Sequence, residues 1–471
     1  MNKRQQVARY LIFDFLAAAI SWTLFFIYRK QVIEPIKFGY DIPMEFTSRY
    51  FMGLLFIPAA WLLLYYISGY YSNIYRRSRL LDLWKTTVSS IFGVTVIFFT
   101  LLLDDTVYSY KNYYQLYLTL LLLHFSFTYL FRLILTTRTI KKIHHRKIGF
   151  NTLIIGNNEQ AIRIYREMTT QPRPAGNIFV GYIEINGNGK SSLEAHLPQL
   201  GILTDLEEVL SQYHIEEVVI AIETSQHELL SQILTIVENR DITIWGIPDL
   251  FSLLAGMVKI NTIYSSPLIK ISNGLMPAWQ ENIKRLFDIA ASAFAMLILS
   301  PVYLSLAIAI KLTSEGPIIY RQVRIGKFGK PFTIYKYRSM LADSEKNGPA
   351  LSSKNDARIT PLGKFIRKTH LDEIPQFWNV LRGDMALVGP RPERQYYIEQ
   401  IVQRAPHYTH LHKLRPGITS WGQVKYGYAS NVEEMLERLP YDMIYLKNIS
   451  LYIDFKILIY TLINVFHGKG K

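Results

Sequence analysis

The chain has 471 residues, of which 49% are hydrophobic and only 19% are charged. A soluble globular chain carries about 25% charged residues, so we expect part of this chain to lie in lipid. Cysteine is absent, which excludes disulfides, thiolate zinc sites and a cysteine nucleophile. The 52 Lys and Arg residues outnumber the 37 Asp and Glu residues and give a net charge of +15. This balance favours nucleic acid, anionic lipid or phosphorylated substrates as partners.

Four apolar stretches occupy residues 1–148, and each is near the ~20 residues that a helix needs to cross a bilayer. They lie at Tyr10–Tyr28, Tyr50–Ile67, Val88–Leu103 and Leu116–Leu135. Basic residues are concentrated before the first stretch, between the second and third, and after the fourth, with 12 there against 5 in the other two loops. The positive-inside rule therefore predicts four transmembrane helices with both ends in the cytoplasm.

Residues 149–265 alternate buried-strand patterns with amphipathic helical patterns, which predicts a parallel βαβ sheet. The first turn reads Gly156-Asn-Asn-Glu-Gln-Ala161 and lacks two of the three glycines of a dinucleotide fingerprint. A structural or regulatory Rossmann-like module is therefore favoured over a working cofactor site. Residues 266–282 are expected to form a linker.

A fifth apolar run, Leu286–Leu312, has Ser300 and Pro301 at its middle. Proline breaks or kinks a helix. Basic residues flank the run at both ends, so we expect a re-entrant helix–break–helix over residues 283–312, with Ser300 and Pro301 at the break. An ordinary fifth span with a proline kink is the alternative.

Two adjacent carboxylates, Asp372 and Glu373, follow a set of basic residues. Thr369 and Asp372 match a capping box, which places both carboxylates in the first turn of a helix that ends near Gly383. The helix dipole and the surrounding cations favour their ionised forms. An ionised aspartate can attack phosphorus, and its neighbour can hold Mg²⁺. Solvated surface charges or a cap are the alternative interpretation of the pair.

The residues around this pair carry a resemblance that extends from Lys284 to about Lys469. Besides Ser300-Pro301 and the Asp-Glu segment, it rests on these ordered blocks: Lys284-Arg-Leu-Phe-Asp288, Gly316-Pro-Ile-Ile-Tyr-Arg-Gln322, Gly326-Lys-Phe-Gly-Lys-Pro331, Tyr335-Lys-Tyr-Arg-Ser-Met340, Val388-Gly-Pro-Arg-Pro392 and Arg415-Pro-Gly-Ile-Thr-Ser-Trp-Gly-Gln423. In these blocks the chain resembles the bacterial polyprenyl-phosphate phosphoglycosyl transferases, in their large form.

The resemblance implies a membrane protein with an α-helical four-span bundle, an α/β Rossmann-like domain and a mixed α/β monotopic catalytic domain at residues 313–471, with the re-entrant helix between the last two. It implies a multi-pass protein of the bacterial inner membrane whose soluble domains face the cytoplasm. It also implies inner-membrane lipid and downstream glycosyltransferases as partners. A homo-oligomer stays open.

The resemblance also implies a reaction, in which Asp372 attacks the β-phosphate of a UDP-sugar, expels UMP and passes the sugar phosphate to undecaprenyl phosphate. Glu373 matches the Mg²⁺-binding position. The other matched positions are implied phosphate or substrate contacts: Lys336, Arg338 and Arg367 near the pair, and Arg391, Arg415, Thr419 and Gln423 in later motifs. Glucose or galactose is the favoured sugar, with N-acetylhexosamines behind them.

Two other functions remain to be weighed. A membrane-anchored NAD-dependent nucleotide-sugar dehydratase or epimerase needs a glycine-rich turn and a Tyr-x-x-x-Lys pair. The turn is eroded, and the one such pair, Tyr452 and Lys456, lies outside the βαβ region. A non-catalytic scaffold for polysaccharide assembly is the second alternative. Nucleic acid is not expected as a partner, because no recognised binding motif accompanies the positive charge.

Overall fold

The structure is a computed structural model that describes residues 3–41, 43–72, 74–102, 109–171, 176–185, 193–222, 227–238, 240, 242–247, 268–270, 275–341 and 356–466. The chain divides into two compact units. The first comprises residues 1–150 and 168–178, and the second comprises residues 151–167 and 179–471. Parts of the predicted module lie outside the described residues, as do residues 266–267 and 271–274 of the predicted linker. The described part of the predicted linker includes a short strand, Ile269–Lys270, and the start of a helix at Ala278.

The first unit is built from apolar helices. They are α1 Lys3–Tyr28, α2 Glu34–Phe38, α3 Ser48–Ile67, α4 Arg79–Ile97 and α5 Tyr110–His144. A π-helical turn joins α1 to α2, and another follows α4. Four helices of the described residues are long and apolar enough to cross a membrane, or five if a bent pair further along counts as one span. The four predicted stretches are therefore confirmed as apolar helices.

Helices α1 and α5 run antiparallel and are joined by buried polar pairs. Asp14 accepts two hydrogen bonds from Arg132, at 2.8 Å from Nε and 2.9 Å from Nη2. Similar pairs lie nearer the N-terminus of α1: Gln6 with Thr139 and Tyr10 with Thr136, both at 2.9 Å. Unpaired charges in an apolar bundle are costly, so such pairs specify which helices meet and in which register.

The second unit begins with a six-stranded sheet in the order β3-β2-β1-β4-β5-β6. Its strands are β1 Phe150–Ile155, β2 Asn177–Glu184, β3 Gln199–Ile202, β4 Glu217–Ile220, β5 Thr243–Gly246 and β6 Ile269–Lys270. Both neighbours of β4 run parallel to it, β3 runs parallel to β2, and β6 is antiparallel to β5. The parallel βαβ sheet is confirmed. Its helices are α6 Glu159–Thr170, α7 Leu206–Gln212 and α8 His227–Glu238.

Glycine is required at the end of β1 for steric reasons. Gly156 has a φ of +119°, and a Cβ there would lie 2.3 Å from the carbonyl oxygen of Ala221. The one glycine retained from the fingerprint therefore serves the close approach of β1 to the chain beyond β4.

A bent helix pair follows, formed by α9 Ala278–Ile298 and α10 Ser300–Thr313. The two axes differ by 61°. The predicted break is confirmed, with its centre at Leu299, because Pro301 lies in the first turn of α10 where proline is tolerated. Large apolar side chains remain exposed on both helices, among them Leu297 at 73% and Leu304 at 65%.

The remaining fold carries the two carboxylates. An antiparallel hairpin joins β7 Ile319–Ile325 to β8 Pro331–Tyr337, and β9 Ala386–Val388 pairs in parallel with β10 Gly417–Thr419. The helices are α11 Pro361–Lys368, α12 Gln376–Arg382, α13 Gln395–Arg404, α14 Trp421–Lys425, α15 Val432–Asn448 and α16 Leu451–Phe466. Helix α16 buries Ile457 in the core and exposes Tyr452, Phe455 and Ile459 on its other side.

Candidate active site

Asp372 and Glu373 lie in a short 3₁₀ turn, Leu371–Glu373, between α11 and α12. The predicted capping box is wrong. The Thr369 hydroxyl donates to the carbonyls of Phe365 and Ile366, at 2.9 and 3.1 Å, and so ends the preceding helix. His370 then takes a left-handed φ of +57°, which turns the chain into the 3₁₀ segment. Helix α12 begins only at Gln376, with Pro375 as its N-cap, and it ends as expected at Gly383, whose φ is +94°.

Glu373 is buried and held by two cations. Its Oε1 lies 2.6 Å from Lys336 Nζ and 3.8 Å from an Arg391 guanidinium nitrogen. Burial opposes ionisation of this carboxyl group, but Lys336 and Arg391 outweigh it and lower its pKa to about 2. Glu373 is therefore ionised at neutral pH, as its charged surroundings predict.

Asp372 is half-buried, and none of the described residues donates a hydrogen bond to its carboxylate. Burial raises its pKa above the ordinary value, and the neighbouring Glu373 charge adds to the rise, while Lys336 and Arg367 oppose it. The expectation that the local field favours ionisation of both carboxyl groups is therefore wrong for Asp372. Lys336 donates a hydrogen bond to Glu373 but not to Asp372, so at Asp372 it opposes the effect of burial through its charge alone.

A carboxylate with few hydrogen bonds and a raised pKa keeps more of its basicity and nucleophilicity than a well-solvated one. The pair is thus divided into Glu373, an anion held by two cations, and Asp372, a carboxyl group with a raised pKa and no hydrogen-bond donor among the described residues. This division is what a nucleophile beside a fixed charged group requires.

Arg338 directly follows β8, two residues after Lys336. It is 6% exposed, and its Nη2 donates to the carbonyl and hydroxyl of Ser314 at 2.7 and 2.8 Å. Its Nε and Nη1 are buried with no partner among the described residues. Buried donors without partners are costly, and phosphate oxygens would satisfy them.

An aromatic residue, Tyr428, joins the site without any signal in the sequence, since it is one of 32 tyrosines. Its ring stacks on His370 with centroids 5.7 Å apart, and the Arg391 guanidinium lies 4.9 Å from the ring centroid. Burial and then the Glu373 charge raise the pKa of its hydroxyl, which also bonds the Gln423 side chain. Tyr428 therefore presents a protonated hydroxyl beside the carboxylates and brings Gln423 to the site.

Arg415 and Thr419 lie elsewhere. Arg415 Nε donates to the Gly383 carbonyl at 3.2 Å, and Arg285 donates to the carbonyls of Val380 and Leu381 at 2.7 and 3.2 Å. Both arginines thus satisfy the orphan carbonyls at the C-terminus of α12 and complement its dipole. The Thr419 hydroxyl bonds that of Thr461 at 2.7 Å, on α16.

Not all of the predicted substrate-binding residues are linked to the carboxylate pair. Four of these residues interact with the carboxylate pair through charge or hydrogen bonds, namely Lys336, Arg367, Arg391 and, through Tyr428, Gln423. Arg415 instead lines a separate cavity of about 270 Å³ with Lys284, Arg285 and Lys327. The roles of all these residues in binding stay predictions.

A buried ion cluster supports the segment that carries Arg391. Glu393 lies 2.8 Å from Arg438 and 3.3 Å from Arg324. Burial opposes the ionisation of Glu393, but both arginines outweigh it and lower its pKa. The sequence analysis did not single out this cluster, because its members lie on β7, on α15 and in the loop between β9 and α13, far apart along the chain.

The carboxylate pair also fits a magnesium ion by its chemistry. Mg²⁺ is commonly held by one or two carboxylates together with substrate phosphates. Both cations that contact Glu373 approach Oε1, which leaves Oε2 for a metal. Among the residues described, no group of three or more His, Asp or Glu side chains forms a complete protein site, so substrate phosphates would supply the remaining ligands.

Two family models match the chain. Residues 279–468 match the bacterial sugar transferase model, and residues 66–248 match a CoA-binding domain. Three relatives illustrate the similarity. A UDP-N-acetylgalactosamine-undecaprenyl-phosphate N-acetylgalactosaminephosphotransferase of Aeromonas hydrophila is 39% identical over 229 residues, 49% of this chain and 53% of the relative.

The other two relatives are UDP-glucose:undecaprenyl-phosphate glucose-1-phosphate transferases. That of Klebsiella pneumoniae is 32% identical over 330 residues, 69% of this chain and 70% of the relative. That of Escherichia coli K12 is 33% identical over 272 residues, 57% of this chain and 59% of the relative. The matched regions thus span from about half to 70% of these relatives.

These similarities define a class of sugar-phosphate transferases, to which the long apolar helices also fit. The chain belongs to the bacterial sugar transferase family and is an enzyme of the phosphoglycosyl transferase class.

Proposed function

We propose that this chain transfers a sugar-1-phosphate from a UDP-sugar to undecaprenyl phosphate through a covalent intermediate on Asp372. The observation that carries the proposal is the divided carboxylate pair, in which Lys336 and Arg391 clamp Glu373 while Asp372 lacks a hydrogen-bond donor among the described residues. A product of this reaction is the first lipid-linked sugar of an exopolysaccharide, capsule or O-antigen.

The reaction has two displacements at one phosphorus atom. An Asp372 carboxylate oxygen forms a bond to the β-phosphorus of the donor, the bond from that phosphorus to the bridging oxygen breaks, and UMP leaves with the electron pair. An oxygen of undecaprenyl phosphate then attacks the same phosphorus, and the bond to Asp372 breaks. Both nucleophiles are anions, so neither displacement needs a general base.

The cations around the pair serve both displacements. Phosphoryl transfer depends mainly on positioning and on neutralisation of charge. Lys336 and Arg391 hold Glu373, and Arg367 places a further positive charge near Asp372. The unpaired Nε and Nη1 of Arg338 supply buried donors for phosphate oxygens.

We include Mg²⁺ in the proposal, held by Glu373 through Oε2 together with donor phosphates. When bound, it neutralises the pyrophosphate charge and so favours departure of UMP. Lys336 keeps Glu373 ionised for this purpose and fixes its orientation through the 2.6 Å bond.

The names of the relatives favour two donors. UDP-glucose and UDP-N-acetylgalactosamine appear in them, whereas galactose, which the sequence analysis also favoured, appears in none of these three names. Both donors share the diphosphate that the basic residues would bind.

The bent pair α9–α10 supports a re-entrant anchor. Lys284, near the start of α9, donates to the Val388 carbonyl at 2.9 Å, and Ser314, just beyond α10, accepts from Arg338 at 2.7 Å. Tyr303 of α10 donates to the Ile374 carbonyl at 2.5 Å. Both ends thus contact the fold that carries Asp372, as expected for a segment that enters the bilayer and returns. This arrangement would hold Asp372 at headgroup depth on the cytoplasmic face of the inner membrane.

The test is to incubate the purified chain with UDP-glucose or UDP-N-acetylgalactosamine and Mg²⁺, without lipid acceptor. We expect up to one equivalent of UMP and a hexose-phosphate mass on the peptide that contains Asp372. Asp372→Asn should abolish both signals, and Asp384→Asn, a nearby partly exposed carboxylate, should leave them unchanged. UMP release that requires both substrates at once would overturn the covalent mechanism, and no release with any UDP-sugar would favour a scaffold.

A further inference from the structure

A cavity of about 630 Å³ opens at one end of the helical bundle in the first unit. Because α1 and α5 are antiparallel, the beginning of α1 and the end of α5 meet there. Among the described residues, four cations line the cavity, namely Arg9, Arg138, Lys142 and Lys147, and none of the described lining residues is acidic. No described carboxylate pairs with any of the four, so their charges are not compensated within the bundle.

The lining changes from charged to apolar with depth. On α1, Phe13 lies about 6 Å further along the helix than Arg9, given the rise of ~1.5 Å per residue. On α5, Leu135 lies about 10 Å deeper than Lys142 by the same rise. Both apolar residues lie towards the middle of helices that are long enough to cross a bilayer. The cavity therefore presents cations at the helix ends and an apolar wall below them.

A buried hydrogen bond joins the two helices at the level of the cations. Gln6 donates to the Thr139 hydroxyl at 2.9 Å, and both side chains are buried between α1 and α5. The pair fixes the spacing of the two helices beside Arg9, Arg138 and Lys142, whereas Lys147 lies just beyond the end of α5.

We propose that this cavity binds the phosphate of a membrane lipid, with the lipid chain against Phe13 and Leu135. Basic pockets between transmembrane helices are suited to lipid headgroups, because a phosphate meets several cations while the chain stays in the bilayer. A free phosphate ion would contact the cations but would make no contact that requires the apolar wall. The lipids that share this chemistry are anionic phospholipids and undecaprenyl phosphate.

The competing explanation is a general attraction of basic helix ends to an anionic surface. Arg4 and Lys141 permit a matched control, because they are exposed at the same end of α1 and α5 but do not line the cavity. Arg138→Gln with Lys142→Gln and Arg4→Gln with Lys141→Gln each remove two positive charges from exposed helical positions.

The experiment is native mass spectrometry of the full chain in detergent, titrated with phosphatidylglycerol, undecaprenyl phosphate or phosphatidylcholine. We expect one tightly bound anionic lipid in the wild type and at least a fivefold loss of affinity in the cavity variant. The control variant should stay within twofold, and Lys147→Gln should lose affinity in the same direction. Phosphatidylcholine should bind weakly, since its headgroup carries a compensating positive charge.

The separate titrations with each lipid also identify which lipid supplies the bound phosphate group. Loss of phosphatidylglycerol, of undecaprenyl phosphate or of both from the cavity variant, but not from the control variant, supports the site and names its lipid. Undecaprenyl phosphate that binds at the Asp372 site should be retained in both variants. Equal loss in the two double variants would overturn the proposal in favour of general surface attraction. Full displacement of lipid by millimolar inorganic phosphate would overturn the claim that the apolar wall contributes. Asp372→Asn should bind lipid here as the wild type does, so failure of this proposal is distinguishable from failure of the proposed reaction.

Discussion

Lys336 Nζ lies 2.6 Å from Glu373 Oε1, although the two residues are 37 positions apart on a strand and a 3₁₀ turn. Burial opposes the ionisation of Glu373, but the charges of Lys336 and Arg391, together with this bond, lower its pKa to about 2, below the ordinary 4.5. Since the folded-state pKa is depressed, ionised Glu373 stabilises the fold above about pH 4.5, and this stabilisation is lost as the pH falls towards 2.

Lys336→Met should therefore lower the free energy of unfolding by about 3 kcal/mol at neutral pH, because it leaves a buried carboxylate without its nearest partner. The acid-dependent part of the stability between pH 5 and 2.5 should shrink with it. Thermal unfolding in detergent across this pH range measures both effects. Lys330→Met, an exposed lysine of the same hairpin, is the control, and an identical pH dependence in Lys336→Met and the wild type would contradict the assignment.

The pKa of Asp372 predicts the acid limb of the activity. Burial raises this pKa, and only the ionised form can attack phosphorus. We expect kcat/KM for UMP release to fall with decreasing pH at a value above the ~3.9 that is ordinary for aspartate. Glu373→Gln removes a like charge and should move the limb to lower pH while weakening the dependence on Mg²⁺. A limb that does not move in this variant would show that the two carboxyl groups do not interact.

Tyr428 should act through both its ring and its hydroxyl. Tyr428→Phe keeps the stacking on His370 and the contact with Arg391 but loses the bond to Gln423, so we expect a three- to tenfold loss in kcat/KM, or about 1 kcal/mol. Tyr428→Ala also frees the Arg391 guanidinium and should lose about 100-fold. Steady-state UMP release measures both, with Tyr426→Phe as the control. Equal activity in all three variants would exclude Tyr428 from the site.

Arg415 should behave as a helix cap. Arg415→Gln removes the bond to the Gly383 carbonyl and should lower the free energy of unfolding by about 0.3–1 kcal/mol. KM for the UDP-sugar should stay within twofold, whereas Arg391→Gln should lower kcat/KM by about 100-fold through its contact with Glu373. A tenfold rise in KM in Arg415→Gln, without a change in unfolding temperature, would instead support the phosphate-binding role implied by the resemblance.

Local patterns were sufficient for part of the fold and made Asp372 and Glu373 the candidate catalytic pair. Apolar length predicts the four long helices, short apolar runs predict β1, β2, β4 and β5, and Pro301 predicts the break between α9 and α10, whereas β3 and β6 were not predicted. These features depend on properties that neighbouring residues share, namely hydropathy, periodicity and the missing amide hydrogen of proline. The ordered motifs around Asp372 and Glu373 carried the family resemblance for the same reason, since they are contiguous in the chain.

The prediction of a capping box at Thr369 was wrong because the Thr369 side chain can bond either to the end of α11 or to the start of the next helix. Its hydroxyl is within reach of the preceding carbonyls of α11, and the left-handed His370 moves the next helix out of register. A sequence pattern does not distinguish the end of one helix from the start of the next when only a few residues separate them.

By itself the amino-acid order determined the class of protein and four helices long and apolar enough to cross a membrane, and it predicted the pair of acids proposed to perform the chemistry. The tertiary structure decided how the environments of the two carboxyl groups differ. The distance from Glu373 to Lys336, the burial of Asp372 and the position of Tyr428 all depend on segments that are far apart in the chain and meet only in the folded protein. Electrostatic energies vary with distance and local polarity, and neither quantity is encoded in any single stretch of chain.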